Sequence, residues 1–344
     1  MGYAAENLAD LVTTTLRDLG RFKWTDISFD LQKYHALPSL LKKKRVPIES
    51  GVQIQWNVQV SDSGQAEHVK LFQVLGVNVE DVMVTANVPW RHTNTKYAIE
   101  DRERAMNRDP ARVVDLTVVR RHDAHVSLAK LMETCLWSCP DSGDDITPYG
   151  LLYWIVKHAS LGFYGGNHAN FSSGPGNLSA TTYAAWRNHT GTYSLGVYDT
   201  SVFVRRIRQL MTYTHFESPV PDHPKYARAD QNVIYTTYAP LAGLEEIAVA
   251  QNDQMGRDVA SMDGKVLIRG TPVRWVPQLE VDTSGPLYFV NWGVLDIVFL
   301  RGEYMNEQPP MRSTEQPRTV KVHIDNTWNT RCYDRRRLGV LYGA

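Results

Sequence analysis

The sequence predicts an α+β fold, and three stretches carry that prediction. Residues 51–60 (GVQIQWNVQV) alternate apolar and polar side chains, with Val52, Ile54, Trp56, Val58 and Val60 on one face and Gln53, Gln55, Asn57 and Gln59 on the other. Residues 264–300 hold two β-type runs, KVLIRGTPVRWVPQLE and PLYFVNWGVLDIVFL, joined by the polar turn VDTSG. Both runs are rich in Val, Ile, Leu, Tyr, Phe and Trp, which suit a pleated surface. In contrast, Ala124, Leu128, Leu131, Met132, Cys135 and Leu136 recur at helical spacing and form one stripe.

Bulk properties narrow the class. A chain of 344 residues holds one large domain or two to three modest ones. Hydrophobic residues make up 43% and charged residues 22%, the balance of a folded soluble protein. Lys plus Arg and Asp plus Glu number 37 each, so net charge offers little protection against self-association. Three cysteines, Cys135, Cys139 and Cys332, do not make a secreted disulfide framework. The amino terminus MGYAAENLADLV lacks a basic stretch followed by an apolar core, so no signal peptide is expected. Gly2 resembles the start of a myristoylation site, but position six is Glu. No run reaches the length of a membrane span. A reducing cytoplasm follows, and the sequons at Asn170, Asn177 and Asn188 are then chance matches. Nine Trp and 17 Tyr suit interfaces, where one end of the ring is apolar and the other hydrogen-bonds, and suit sugar sites equally.

Residues 1–45 read as an arm. Leu8, Leu11, Val12, Leu16 and Leu19 predict a short amphipathic helix ending at Gly20, and KKKR at 42–45 reads as a solvated loop rather than an acidic-partner site. After residues 51–60, SDSGQ turns the chain, and HVKLFQVLGVNVEDVMVTANV continues extended to Pro89. The expectation is a long two-stranded hairpin. Such a hairpin is unstable alone, so it packs either on its own domain or across a neighbouring chain. Asp109 and Pro110 mark the cap and first turn of one long helix to about Trp137. Thr147 and Pro148 open a short helix, PYGLLYWIVKH, and residues 160–200 are rich in glycine and aromatics. Thr200 begins a helix carrying Val204, Ile207, Arg208, Leu210 and Met211. NVIYTTY reads as a strand and PLAGLEEIAVAQND as a helix. Pro272 and Pro277 sit at strand boundaries or bulges, because proline cannot donate to a ladder. A Pro/Glu/Gln-rich linker runs to about Arg318, and the end, VKVHIDNTWNTRCYDRRRLGVLYGA, is strand-like with a basic patch.

Catalytic and metal constellations fail on spacing. His122 and His125 lack a third ligand and lie beside Arg120 and Arg121. Cys135 and Cys139 have no second pair for zinc. GFYGGN and SSGPGN are not phosphate loops, and no G-x-S-x-G elbow is present. Glu245 and Glu246 face different sides of their helix, so no carboxylate pair for glycoside hydrolysis is evident. The aromatic, Asn and His content of residues 160–193 leaves a sugar-binding module open. The basic clusters at 42–45, 205–208 and 331–337 read as solvent-facing charge and inter-subunit salt bridges, with any nucleic-acid contact directed at phosphates. No enzyme activity and no cofactor are expected.

The chain resembles the tailed-bacteriophage major capsid proteins of the Hong Kong 97 type. The order of arm, hairpin, long helix and mixed carboxy-terminal body is similar. So are the block NLSATTYAAWRNHTGTY, the run NVIYTTYAPLAGLEEIAVAQND followed by VLIRGTPVRWVPQLE, and the strand with its basic LGVLY tail. The resemblance covers about residues 45–344. It implies an N-terminal arm at 1–45, an E-loop hairpin at 46–95, a spine helix and peripheral domain at 96–160, a mostly axial domain at 161–300, and a return to the peripheral domain at 301–344. It also implies that residues 53–60 and their return strand lie on a neighbouring subunit.

The function implied is a structural subunit of an icosahedral virion capsid, assembled in the host cytoplasm around double-stranded DNA without sequence-specific binding. Its partners would be itself in pentamers and hexamers, a scaffolding protein supplied separately, a portal and a cement protein. Inter-subunit contacts are expected at Ile54, Trp56, Lys70, Trp275, Trp292, Arg335 and Arg336. Some relatives cross-link a hairpin lysine; Lys70 lies in that segment, but no partner can be placed and no cross-link is expected. An encapsulin-like compartment shares this architecture and differs in packaging protein.

Overall fold

The computed structural model describes residues 35–41, 48–72, 76, 81–106, 116–216, 230–253 and 266–344. The predicted helix at 8–20, the run KKKR and the Asp109–Pro110 helix start lie outside the described residues.

The first described elements are a short helix α1 (Ala36–Leu41), a two-residue strand β1 (Ile48–Glu49) and a hairpin of β2 (Gln53–Gln59) and β3 (Met83–Pro89). Strand β4 (Arg91–Glu100), helix α2 (Asp101–Met106) and the 21-residue helix α3 (Leu116–Leu136) follow. Next come α4 (Leu151–Trp154), β5 (Gly162–Gly165), β6 (Asn188–Tyr193) and α5 (Arg205–Thr214). Strand β7 (Asn232–Thr236) leads into α6 (Tyr238–Asp253), and the tight hairpin of β8 (Leu267–Ile268) and β9 (Thr271–Trp275) leads to β10 (Leu287–Asn291) and β11 (Leu295–Leu300). The end of the chain supplies β12 (Asn306–Glu307), β13 (Met311–Arg312), the 14-residue β14 (Thr319–Cys332) and β15 (Gly339–Gly343).

Two large sheets organise these elements. In one, β14 is the central strand. It pairs antiparallel with β11, from Leu295↔Cys332 to Phe299↔Trp328, and with β4 over ten residues, from Thr319↔Glu100 to Trp328↔Arg91. β1, β12 and β13 complete it. The other sheet has seven strands in the order β5-β6-β15-β10-β7-β9-β8. The second β-type run read from sequence is therefore not one strand. It breaks at Trp292–Gly293–Val294 and passes from the seven-stranded sheet to the other one. The Asn291 side chain fixes this break: its Oδ1 accepts from Gln231 N at 3.2 Å and from Gly293 N at 2.8 Å.

The seven-stranded sheet is covered on both faces, which explains why LYFV reads as a continuous apolar run. Tyr288 and Val290 face the larger core, while Leu287 and Phe289 face a smaller core under α5 and α6. The larger core also takes in the apolar faces of β2, β3, α3, α4 and β14. In α3 the buried stripe is Ala124, Leu128, Met132, Cys135 and Leu136. Leu131, expected on it, is exposed, because three-residue steps from Leu128 drift off the buried arc. Val52, expected with Ile54, Trp56 and Val58, is likewise outside, one residue before the ladder begins.

The hairpin ladder is shorter than expected. It spans seven residues per strand, from Gln53↔Pro89 to Gln59↔Met83, and the described residues between Val60 and Val82 form no strand. The helix expected over PYGLLYWIVKH is only one turn long; the β-branched pair Ile155–Val156 follows it, with Ile155 already extended. Thr200 does open a helical segment. Asp199 caps it by accepting from Val202 N and Phe203 N, and a five-residue π turn runs into α5. Pro277 opens a 3₁₀ turn, and Pro272 lies within β9 opposite Leu267.

Two contacts lock α3 to its surroundings. The carboxylate of Glu133, fully buried, accepts from the backbone N–H groups of His35, Ala36 and Leu37 at 2.9, 2.9 and 2.7 Å and from Trp137 Nε1 at 2.8 Å. It thereby satisfies the orphan donors at the start of α1. At the other end of the contact, Gly150 rests on the last turn of α3. A Cβ there would lie 2.2 Å from Ser138 O and 2.4 Å from Cys135 O, both backbone atoms. Gly150→Ala is therefore expected to lower stability by at least about 2 kcal/mol, read as a reduced urea midpoint with an unchanged slope.

Candidate functional site

The seven expected contact residues separate into an internal and an exposed set. Ile54 and Trp56 point inward from β2, and the Trp56 ring meets Trp154 edge-on at 6.1 Å. Trp292 is buried at the crossing between the sheets, and its indole N–H donates to Tyr235 Oη at 3.0 Å. These three side chains anchor their own chain's core and have no surface to offer a neighbour. The physical reason is that an apolar strand face is satisfied by the nearest apolar surface, here α4 and the residues around Gly176. The apolar face of residues 53–60 and the return strand thus packs on their own subunit, while the polar face of β2 is exposed.

The basic tail is also not a solvent-facing patch. Arg335 is fully buried and donates to Trp154 O at 2.8 Å, Trp186 O at 2.7 Å, Gly165 O at 3.3 Å, Gly166 O at 3.2 Å and Asn188 Oδ1 at 3.1 Å. Burial pushes its guanidinium down to about 10. Arg337 pairs with Asp230 at 2.8 Å, Arg331 approaches the buried Asp296 at 3.5 Å, and both are buried. Arg336 is half-exposed and chelates Asp334 through Nε and Nη2, each at 3.0 Å. The guanidiniums of Arg331, Arg335 and Arg337 thus staple distant segments of one chain together, while that of Arg336 makes a local contact.

Lys70 and Trp275 remain exposed, and each belongs to a larger apolar surface. Around Lys70, residues 61–72 are exposed throughout. Leu71 is 86% and Phe72 97% accessible, joined by Val69 and Met83. Phe72 adopts φ 64°, a left-handed backbone that an aromatic residue rarely takes. Around Trp275, the Glu280 carboxylate accepts from the indole N–H at 2.7 Å and from Tyr238 N at 2.6 Å. It gathers Trp275, Tyr238 and the neighbouring Val281, all exposed, at one end of the seven-stranded sheet. Isolated exposed apolar residues are ordinary, but clusters of this kind mark contact surfaces. Leu71 and Phe72 had no periodic signal in the sequence; only their position at the tip of a hairpin could have singled them out.

In and beside residues 160–193, the region open to a sugar-binding reading, several aromatic side chains pack internally, while Tyr164 is exposed. Tyr149 and Tyr153 stack at 4.0 Å, and Phe171 meets both edge-on. Tyr153 Oη accepts from Gly176 N at 2.9 Å, and Trp186 Nε1 donates to Pro175 O at 2.8 Å. Among the described residues no group of three His, Cys, Asp or Glu side chains is placed to hold a metal. The three cysteines are unpaired, and burial pushes the Cys135 and Cys139 thiols up to about 12, far from a thiolate nucleophile. No described helix is long and apolar enough to cross a membrane.

His189 on β6 is a buried histidine with an unusual titration. Its ring stacks on Tyr213 at 5.4 Å and meets Phe163 edge-on at 5.1 Å, and neither ring nitrogen has a hydrogen-bond partner. Burial pushes its pKa down to about 4. Because the folded value lies below the unfolded one, the unfolded chain takes up the proton first as pH falls. Stability contributed by the neutral ring is full above the unfolded pKa and is lost between about pH 6.5 and 4, by up to about 3 kcal/mol. His189→Phe should lose less stability than the parent when urea midpoints at pH 7 and pH 4.5 are compared.

No family model matches the chain, and no curated protein matches it. Solved structures do. The capsid asymmetric unit of cyanophage A-1(L) superposes with a TM-score of 0.65 at 15% identity, covering 96% of this chain and 98% of the other. The capsid of a native GTA particle gives 0.57 at 12% identity, over 95% and 97%. The capsid asymmetric unit of cyanophage Pam1 gives 0.50 at 13% identity, over 96% and 98%. The chain therefore has the fold of phage capsid proteins from end to end.

Proposed function

We propose that this chain is a structural, non-enzymatic subunit of a phage capsid, which associates with itself in many copies to form an icosahedral shell around double-stranded DNA. One observation carries the reading: the fold matches a cyanophage capsid chain over nearly the whole of both chains. The exposed apolar tip at residues 69–72 and the Trp275 patch supply what a shell subunit needs, surfaces that lose water only when another copy covers them.

In this reading the β2–β3 hairpin and its tip form the E-loop, α3 is the spine helix, the β14 sheet belongs to the peripheral domain, and the seven-stranded sheet is the core of the axial domain. The hairpin base is rooted in its own subunit, and only the tip crosses to a neighbour. Lys70, Trp275 and Arg336 are the contact residues that this assignment retains. A scaffolding protein, a portal and a cement protein are its expected companions, and the virion is its location. Particles purified from the cells that make them should protect double-stranded DNA from nuclease. Particles filled with protein cargo and no DNA would contradict the DNA-enclosing role and favour a protein compartment.

A further inference from the structure

A cavity of about 280 Å³ opens between α5, α6 and the β8–β9 hairpin. Leu244, Ile247, Ala248 and Val266 contribute to its apolar lining, and Arg208 and Arg269 are its only charged lining groups. Arg205 lies one turn before Arg208 on α5, and Arg206 follows it in the chain. Among the described residues, none of these four guanidiniums has a carboxylate partner.

Arg269 is presented by the tight turn between β8 and β9. Arg269 and Gly270 link β8 to β9 as a two-residue hairpin with φ 49° and 77°. Turns with positive φ at both central positions favour Asn or Gly at the first of them. Here an arginine occupies it, held by donating to Thr212 Oγ1 at 2.7 Å and Arg208 O at 3.4 Å. These contacts hold the Arg269 guanidinium at the rim of the cavity.

The same chain carries a matching knob. Ile146 is 77% exposed, at the tip of a turn that Asp144 braces by accepting from Ile146 N at 2.8 Å and Thr147 N at 3.0 Å. The adjacent Asp145 carboxylate is almost wholly in solvent, with one contact to Arg91 at 3.5 Å. Val281 is also an exposed aliphatic residue beside acids, but its flanking Glu280 and Asp282 are both engaged, with Trp275 and Lys157.

We propose that the Arg208–Arg269 cavity is a socket for the Asp145–Ile146 turn of a second copy, with Ile146 entering the apolar recess and Asp145 facing the guanidiniums. The apolar recess favours this occupant over a nucleic acid, whose phosphates would use the arginines and leave the recess empty. Knob and socket are different patches on one chain, so the contact is heterologous and builds rings when the rotation closes. This inference rests on the assembly reading above.

The test measures assembly of the full chain by light scattering against protein concentration, for the parent, Arg208→Glu, Asp145→Arg and the variant carrying both. Each single reversal should raise the concentration needed for assembly by about tenfold or more, and the double variant should recover most of the loss. Circular dichroism and thermal midpoints of the unassembled variants establish that they fold as the parent does. Parent-like assembly of both single variants, or a double variant no better than either, would overturn the socket while leaving the shell reading intact. A Arg208→Glu variant that assembles normally but loses affinity for DNA would overturn it in favour of phosphate binding. A parent that never assembles would overturn both readings.

Discussion

Leu71→Ser together with Phe72→Ser is expected to leave the monomer folded and to remove its ability to form closed particles. Both side chains are almost fully exposed and lie beyond the β2–β3 ladder, so the core does not depend on them. Covering each on a neighbour contributes about 1.5–3 kcal/mol per contact. That contribution is made by every copy in a shell, so its loss acts on the assembly equilibrium many times over. Removing the strand segment instead would be uninformative: Ile54, Trp56 and Val58 belong to the main core, and their loss would unfold the subunit before assembly could be measured. The check is paired. Thermal midpoints of the monomer should agree within a few degrees, while light scattering should show particles only for the parent. Particles from the double-serine variant would remove the tip from the assembly account.

Arg335→Met is expected to have the opposite profile, unfolding the subunit itself. The methionine matches the length of the arginine stem but supplies none of its donors. Four backbone carbonyls and Asn188 Oδ1 would lose the hydrogen bonds that Arg335 makes. Each orphaned buried acceptor costs about 1–3 kcal/mol, so even two of them bring the loss to about 3–5 kcal/mol. That is a large part of the total stability of a typical domain, about 5–15 kcal/mol. Arg335→Lys should fall between the two, since a lysine has three donors on a tetrahedral head and cannot reproduce the planar fork. Urea unfolding by circular dichroism provides the measurement, and a loss under about 1 kcal/mol for the methionine variant would contradict the role of Arg335 as an internal staple.

What the sequence reveals depends on how many faces of an element are buried. β2 is covered on one face and exposes the other, so its alternation is legible at Gln53–Gln59. The stretch 286–300 is buried on both faces over two different sheets, so the period-two signal vanishes and the break at Trp292–Gly293 is hidden within an apolar run. The order of strands and helices from residue 116 onward is largely readable because capping and turn residues such as Asp199 and Pro277 act locally.

The contact residues were harder to read, for a physical reason. Tryptophan composition suggests interfaces, but Trp56 and Trp292 are buried within the chain, and of the three tryptophans expected at contacts Trp275 alone reaches the surface. The basic run at 331–337 looks like surface charge because the acceptors of Arg335 are backbone groups nearly 150 or more residues away, which leave no trace in local pattern. Conversely, Arg208 lies in a cluster visible in sequence, but Arg269 does not, and the apolar recess beside them forms only when α5, α6 and β8 come together.

The most direct test of the central claim is negative-stain electron microscopy of the purified full-length protein, with and without a scaffolding protein. The account predicts closed, icosahedral particles of uniform diameter built from this one chain. Fields containing only monomers or dimers under both conditions would contradict it.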